Sequence, residues 1–504
     1  MPSPSRRALL KAGLAAVPGM TLSRFGGGAL SPFKPDASVA RMPEQAPTSR
    51  PYAGFPVPAL QWRGDSSVGA SLRSRTIPSG TPLSVVEQSL LEPPTQNVPR
   101  FDRRTGERIV PEGFTRLRSP EPVAELRSRF PNLRRHFVFE YYAWYETNPY
   151  FHWAEKGYVP PYGIASTMMP ALGPYASMDA AVVERHARWL ADSGVGAIAI
   201  SWWGPDSNTN RATPLIMDVM KAHDIHVTFH LEPYGPNRAT SYASDINYLL
   251  REYGERRRWD NFLLLEHGDG TTTPVFKTFR TILPRTVVDC QGNVQSVPDY
   301  VADDVWRRQT DAVRENAKPL FNRVVLLADS LDVGRTKAGG FDGMAIYDSF
   351  VRPATWPQAA FDFGGNNLLY SFAINCGFDG YVPVVPAGVC DVPQPFEPPV
   401  GPIDWSSAAS RLTAETASRA RIIESLDATL ALQADRNRGN SRRGFFLTYV
   451  TTFNEWHEGT SFEPAKSRAS LLPQERPFNY HNPENGAWRL ELLQSLLRPI
   501  TGGR

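Results

Sequence analysis

Ala197-Ile198-Ala199-Ile200-Ser201-Trp202-Trp203 decides the fold of this chain. The run is short, apolar and β-branched, with no alternation of polar residues, so it reads as a strand buried on both faces. Upstream, Met178 to Ser193 reads as a helix. Val182-Val183, His186 and Trp189-Leu190 recur at helical spacing, Asp179 lies in the first turn, and Gly194-Val195-Gly196 ends it. Downstream, Leu215 to His223 reads as a second helix. Ile225-His226-Val227-Thr228-Phe229-His230-Leu231-Glu232 reads as a further buried strand, and Pro233-Tyr234-Gly235-Pro236 follows it. Further back, His136 to Tyr145 reads as the first strand of the series. Strand, helix, strand, helix, strand, each strand largely apolar, implies a parallel sheet with helices on its faces. Arg323 to Ala328, Gly343 to Tyr347, Gly380 to Val385 and Phe445 to Thr451 are later strand candidates. With one or two weaker strands added the count approaches eight. The expected fold is therefore α/β: a single (β/α)8 TIM-type barrel over residues 134–500 with a Pro-rich N-terminal extension.

Most of these strands run into a polar or aromatic tip, and in a barrel of parallel strands those tips converge at the catalytic face. The richest tip is Thr452-Phe453-Asn454-Glu455-Trp456-His457-Glu458-Gly459-Thr460. Glu455 and Glu458 sit three residues apart, with Asn454, Trp456 and His457 around them. Isolated E-x-x-E pairs are usually solvated loop acids. A pair at a strand tip among an indole, an imidazole and an amide suits glycosidic cleavage, with one carboxyl as proton donor and the other as base or nucleophile.

The rest of the chain limits the alternatives. Its 504 residues can bury a large core, and a net charge of +3 gives no argument for a nucleic-acid partner or a membrane surface. Ser5-Arg6-Arg7-Ala8-Leu9-Leu10-Lys11, followed by a short apolar run, has the layout of a twin-arginine export signal over residues 1–30. The expectation is a protein handed to the twin-arginine machinery and delivered to the periplasm or medium. No run is long enough to span a bilayer in the mature chain. Residues 31–133 are rich in Pro, Ser and Arg and read as a linker or extension. Of Cys290, Cys376 and Cys390, the last two would close the shortest disulfide loop. No zinc spacing, nucleotide fingerprint or phosphate loop appears, so neither cofactor nor metal is expected.

Six segments together resemble glycoside hydrolase family 99, the endo-α-mannosidases and endo-α-mannanases, over roughly Arg135 to Leu497. They are Tyr141-Tyr142-Ala143-Trp144-Tyr145 with Phe151-His152-Trp153; Leu172-Gly173-Pro174-Tyr175-Ala176-Ser177; Ser201-Trp202-Trp203; Phe229-His230-Leu231-Glu232-Pro233-Tyr234; Phe341-Asp342-Gly343-Met344; and the nine-residue motif above. The resemblance implies a (β/α)8 barrel and retaining endo-hydrolysis of α-mannosides in oligo- or polysaccharides, without a protein nucleophile. It implies Glu455 as base on the sugar's own 2-hydroxyl, which attacks the anomeric carbon to give a 1,2-anhydro sugar. Glu458 would protonate the leaving oxygen, then activate water, and so should have a raised pKa. It also implies that Tyr142, Tyr145, His152, Trp202, His230, Glu232, Tyr234 and Tyr347 line the cleft. Neighbours in a strand point to opposite faces, so only one of Tyr141 and Tyr142, and one of Trp202 and Trp203, can do so. Residues 254–285, 289–317 and 393–443 depart from the family pattern and bear on linkage and chain length. A non-catalytic glycan-binding barrel, and a hydrolase or transglycosylase of another cell-surface polysaccharide, are the competing readings.

Overall fold

The computed structural model describes residues 100–101, 108–109, 120–234, 238–266, 271–288, 292–297, 299–347, 353–381 and 403–502. The proposed export signal, Cys290 and Cys390 lie outside them.

Among the described residues, eight parallel staves close around one axis. They are β1 (Phe137–Tyr141), β2 (Ala197–Trp202), β3 (His226–Leu231), β4 (Thr272–Thr278), β5 (Val325–Ala328), β6 (Gly343–Ala345), β7 (Leu369–Ser371 and Ala373–Asn375) and β8 (Thr448–Thr451). Leu369–Ser371 pairs with β6, and Ala373–Asn375 pairs with β8. One stave broken at Phe372 thus closes the barrel. Register runs from Val138↔Ala197 through Ile198↔Val227 and Phe229↔Phe276 around the ring.

The helices are α1 (Pro120–Arg129), α2 (Ala180–Asp192), α3 (Asn208–Ala222), α4 (Arg238–Leu249), α5 (Asp303–Ala317), α6 (Val333–Ala338), α7 (Trp356–Gly365), α8 (Ala408–Ala434), the single turn α9 (Gly439–Arg442) and α10 (Trp488–Thr501). One helix of α2 to α8 follows each of β1 to β7, and α10 follows β8. Several starts are capped as the sequence suggests: Asp179 accepts from Ala181 N–H, Ser207 from Asn210 N–H and Asp332 from Arg335 N–H. α3 begins seven residues before the expected Leu215, because the Ser207 cap carries the helix through Asn208–Ala212 with Pro214 tolerated inside. α1 falls within the stretch read as a linker. It is docked through Leu126 and Phe130, both buried, and Arg127 Nε donates to Ile500 C=O at 3.0 Å.

Side chains sort by strand parity. Val138, Ala197, Ala199, Val275, Leu327, Ala345, Leu369 and Tyr449 fill the barrel. Phe139, Tyr141, Ile198, Ile200, Trp202, Val227 and Phe229 face outward beneath the helices. The interior positions of β2 are small and the exterior ones large. Both faces are buried, as expected of a parallel sheet covered on each side.

Two strand expectations need correction. Gly380 and Tyr381 lie outside any strand, and 382–385 are not among the described residues. The seventh stave is instead the apolar run Leu369–Asn375, entered after Asn366–Asn367. β4 was missed altogether, because Pro274 and Lys277 disguise Thr-Thr-Pro-Val-Phe-Lys-Thr as a polar segment.

Candidate active site

β8 delivers the motif to the C-terminal mouth of the barrel. Its two ends are tied together: Thr452 N–H donates to Thr460 C=O at 3.0 Å, and the two threonine hydroxyls lie 2.9 Å apart. Phe453 N–H donates to Glu140 C=O at 2.8 Å, which pins the loop onto β1. Both acids are buried, Glu455 at 0% and Glu458 at 3% exposure.

The two carboxyl groups have different surroundings. Glu455 Oε1 accepts the backbone N–H of His457 at 3.1 Å, and Glu455 N–H donates to Thr452 Oγ1 at 2.9 Å. Glu458 Oε2 accepts the hydroxyl of Tyr347 from the tip of β6. Glu458 C=O accepts Asp379 N–H at 2.8 Å, so the segment after β7 braces its backbone.

Tyr142, Tyr145, Tyr347 and Trp456 share an aromatic cluster at the mouth with Trp144, Trp153 and Tyr175. Tyr141 lies in the outer core, its hydroxyl 2.9 Å from His186 Nδ1. Tyr145 acts on the loop itself: its hydroxyl accepts Trp456 N–H and donates to Asn454 C=O, both at 3.1 Å. Burial, then the charge of Glu455, pushes that phenol well above its ordinary range, so it stays a donor. Asn454 pairs with both backbone groups of Tyr142, accepting N–H at 2.7 Å and donating to C=O at 2.9 Å. His152 adopts φ 64° and lies 2.8 Å from Glu155 Oε1 through Nδ1. His230 is inside the barrel, Nδ1 3.4 Å from Glu140 Oε1. Glu232 is buried and accepts Ser201 Oγ at 2.8 Å.

Two expected cleft residues do not face the mouth. Trp202 is fully buried among the outward side chains, its Nε1 donating to Asn210 Oδ1 at 2.9 Å. Tyr234 packs edge-on against Trp202, 5.4 Å between ring centroids, in that same outer layer. Trp202 shares parity with Ile198 and Ile200, and Trp203 takes the mouth position, 5.9 Å from Trp144. The small interior residues Ala197, Ala199 and Ser201 carried the signal that could have distinguished the two indoles.

A support network escaped the sequence reading. Glu463 Oε2 accepts Trp456 Nε1 at 2.9 Å and the Tyr175 hydroxyl at 2.7 Å, and Oε1 is 3.2 Å from His186 Nε2. Asn454 Nδ2 donates to the Tyr175 hydroxyl at 3.1 Å. Glu463 therefore holds the motif from behind, five residues beyond Glu458 in sequence.

One group among the described residues has metal-ligand character: His152, Glu155 and His457 each offer a ligand atom within 4.8 Å of the others. His152 Nδ1 engages Glu155 Oε1 at 2.8 Å, and His457 Nε2 lies 2.7 Å from His152 C=O.

Burial is the main cause that lowers His457 to about 4, and it lowers His136 to about 4 as well. The unfolded chain takes up these protons near pH 6.5 and the folded chain only near pH 4. Acid therefore favours unfolding across that window, by roughly 3 kcal/mol for each histidine once pH is below 4. The melting temperature should fall steadily from pH 7 to pH 4; a flat profile would contradict neutral buried imidazoles.

Gly459 has φ 63°, and a Cβ there would stand 2.2 Å from Asp379 C=O. Gly459→Ala should cost about 1–3 kcal/mol of stability from backbone conformation alone. It should also displace the Asp379 brace on Glu458, lowering kcat. Unchanged melting and kcat in this variant would show that the close approach is not needed.

Two buried carboxyl groups carried on one strand-tip loop at the mouth of a (β/α)8 barrel are an arrangement that suits the barrel glycoside hydrolases as a class. The sequence model of Glycosyl hydrolase family 99 matches residues 132–262, which hold β1 to β3. A zebrafish (Danio rerio) glycoprotein endo-alpha-1,2-mannosidase-like protein is 25% identical over 374 residues, covering 68% of this chain and 74% of the relative. The Mus musculus glycoprotein endo-alpha-1,2-mannosidase is 24% identical over 375 residues, covering 68% and 71%. A solved GH99 endo-alpha-mannosidase from Bacteroides thetaiotaomicron is 18% identical with a TM-score of 0.49, covering 73% of this chain and 98% of that one. The chain is a glycoside hydrolase that is similar to family 99.

Proposed function

We propose that this chain is an exported, retaining, endo-acting α-mannosidase that works by substrate-assisted attack. The observation that carries the reading is the pair Glu455 and Glu458, both buried on one loop yet differently solvated by protein groups. The printed names of the relatives, glycoprotein endo-alpha-1,2-mannosidases, support an α-mannoside as the substrate class.

Glu455 takes the proton from the mannosyl 2-hydroxyl as O2 attacks the anomeric carbon. The bond to the leaving oxygen breaks, and Glu458 gives that oxygen its proton. The product of this step is a 1,2-anhydro sugar. Glu458, now a carboxylate, takes a proton from water as the water attacks the anomeric carbon. The epoxide opens and Glu455 returns its proton to O2. In an α-mannoside the axial O2 lies opposite the leaving group, so two inversions give net retention. This is a substrate-assisted departure from the usual two-carboxylate scheme.

The test is incubation of the purified chain with a panel of α-mannan oligosaccharides, with products read by mass spectrometry and the anomer first released read by NMR. Oligosaccharide release as the α-anomer supports the reading. No release from any α-mannan would sink the mannosidase assignment and direct the search to other surface glycans. Export is tested separately, by fusing residues 1–30 to a folded reporter and asking whether Arg6→Lys/Arg7→Lys blocks its translocation.

A further inference from the structure

We propose that Lys277 and Glu140 are positioning residues: their ion pair inside the barrel fixes the Tyr347 hydroxyl as the donor to Glu458. The proposal rests on the reading of Glu458 as the acid.

Glu140 on β1 and Lys277 on β4 are both fully buried, and the ammonium donates across the barrel interior to Glu140 Oε1. Thr451 Oγ1 donates to Glu140 Oε2 at 2.8 Å, and His230 Nδ1 stands 3.4 Å from Oε1. A buried ion pair of this kind is weak evidence for stability, since apolar replacements are often neutral or better. Its position offers another role. Lys277 Nζ also donates to Ile346 C=O at 3.2 Å, and the next residue is Tyr347. Tyr347 N–H donates to Asp329 Oδ1 at 3.0 Å. The peptide joining Ile346 to Tyr347 is thus held on both sides. The ring lies with the Lys277 ammonium 5.6 Å from its centroid and Phe279 edge-on at 5.6 Å. Held in this way, the phenol is aimed at Glu458.

The charged and titratable groups facing this assembly are Glu458 from the motif, His230 from β3, Lys277 from β4 and Asp329 after β5. Glu140 on β1 and Tyr449 on β8 face the ammonium, Tyr449 with its ring centroid 4.7 Å away. A phenol donating to a carboxylate favours its charged form, so loss of the donor raises the pKa of that carboxyl. The alkaline limb of the pH–rate profile, where the acid must still hold its proton, then moves to higher pH.

The experiment compares Lys277→Met, Tyr347→Phe, the pair combined, and the charge-neutral double variant Glu140→Gln/Lys277→Met, all in the full chain. Substrates are an α-mannan oligosaccharide and α-mannosyl fluoride. Lys277→Met and Tyr347→Phe should each lose roughly 10–100-fold in kcat on the oligosaccharide and much less on the fluoride. Each should move the alkaline limb upward, and the combination should be no worse than the poorer single change. Glu140→Gln/Lys277→Met, which leaves no uncompensated charge, should recover melting temperature and keep the kinetic defect. Equal slowing of both substrates, an unmoved limb, or additive losses would overturn the proposal. Glu458→Gln is the control for the underlying reading: if it lacks leaving-group dependence, Glu458 is not the acid. In that case a crystal structure of Glu140→Gln/Lys277→Met decides the positioning claim. A Tyr347 hydroxyl withdrawn from Glu458 supports it, and one still in place refutes it.

Discussion

Glu455→Gln is expected to lower hydrolysis of α-mannosyl fluoride by roughly 10³-fold or more, because without a base the 2-hydroxyl is too poor a nucleophile to displace even a good leaving group. Glu458→Gln should lose about 10²–10⁴-fold on an α-mannan oligosaccharide, whose departing oxygen needs a proton. On the fluoride the same variant should be only partly slowed. The contrast separates the two roles, since uniform binding loss would affect both substrates alike. Both variants should fold: glutamine keeps the carbonyl that accepts His457 N–H in one case and the Tyr347 hydroxyl in the other. Equal, mild losses from the two changes would remove the acid and base assignments together.

Glu463→Leu carries the largest expected stability effect. Its carboxylate is buried at 2% exposure and serves Trp456 Nε1, the Tyr175 hydroxyl and the His186 ring at once. Leucine fills similar space and leaves three buried polar groups without that acceptor. Each such group costs on the order of 1–3 kcal/mol, partly offset because the buried charge is removed with its acceptors, and a loss of roughly 3–5 kcal/mol is expected in chemical denaturation. Activity should fall with it, because Trp456 lies between the two acids in sequence and its indole is held by this bond. Glu463→Gln, which keeps one carbonyl oxygen, should lie between wild type and leucine. A Glu463→Leu protein with unchanged midpoint and kcat would show that the network is ornamental to the loop.

The βαβ alternation around Ala197–Trp203 sufficed to call for a parallel barrel. Burial on both faces imposes apolar runs, and a crossover needs a helix. The strand-tip position of Glu455 and Glu458 was legible for the same reason, as a sharp change from Phe445–Val450 to polar residues. β4 was not legible, because Pro274 breaks the apolar run and one interior position is Lys277, whose charge is met by the Glu140 carboxylate three staves away and by the Ile346 carbonyl. Alternation by itself did not say which of Trp202 and Trp203 reaches the mouth, although the small residues Ala197, Ala199 and Ser201 held that signal. Alternation establishes that the two oppose each other, but not which face is inside when both are apolar. The roles of Tyr145 and Asn454 were likewise open, since a hydroxyl or amide suits a sugar as well as a backbone. Their partners, Trp456 N–H and the Tyr142 peptide groups, come from distant segments. Sequence alone thus determined the fold class and the strand-tip position of Glu455 and Glu458, features written in local periodicity and residue type. Tertiary structure decided side-chain direction, the Glu463 brace and the Lys277–Glu140 pair, because each depends on which remote residue closes the hydrogen bond.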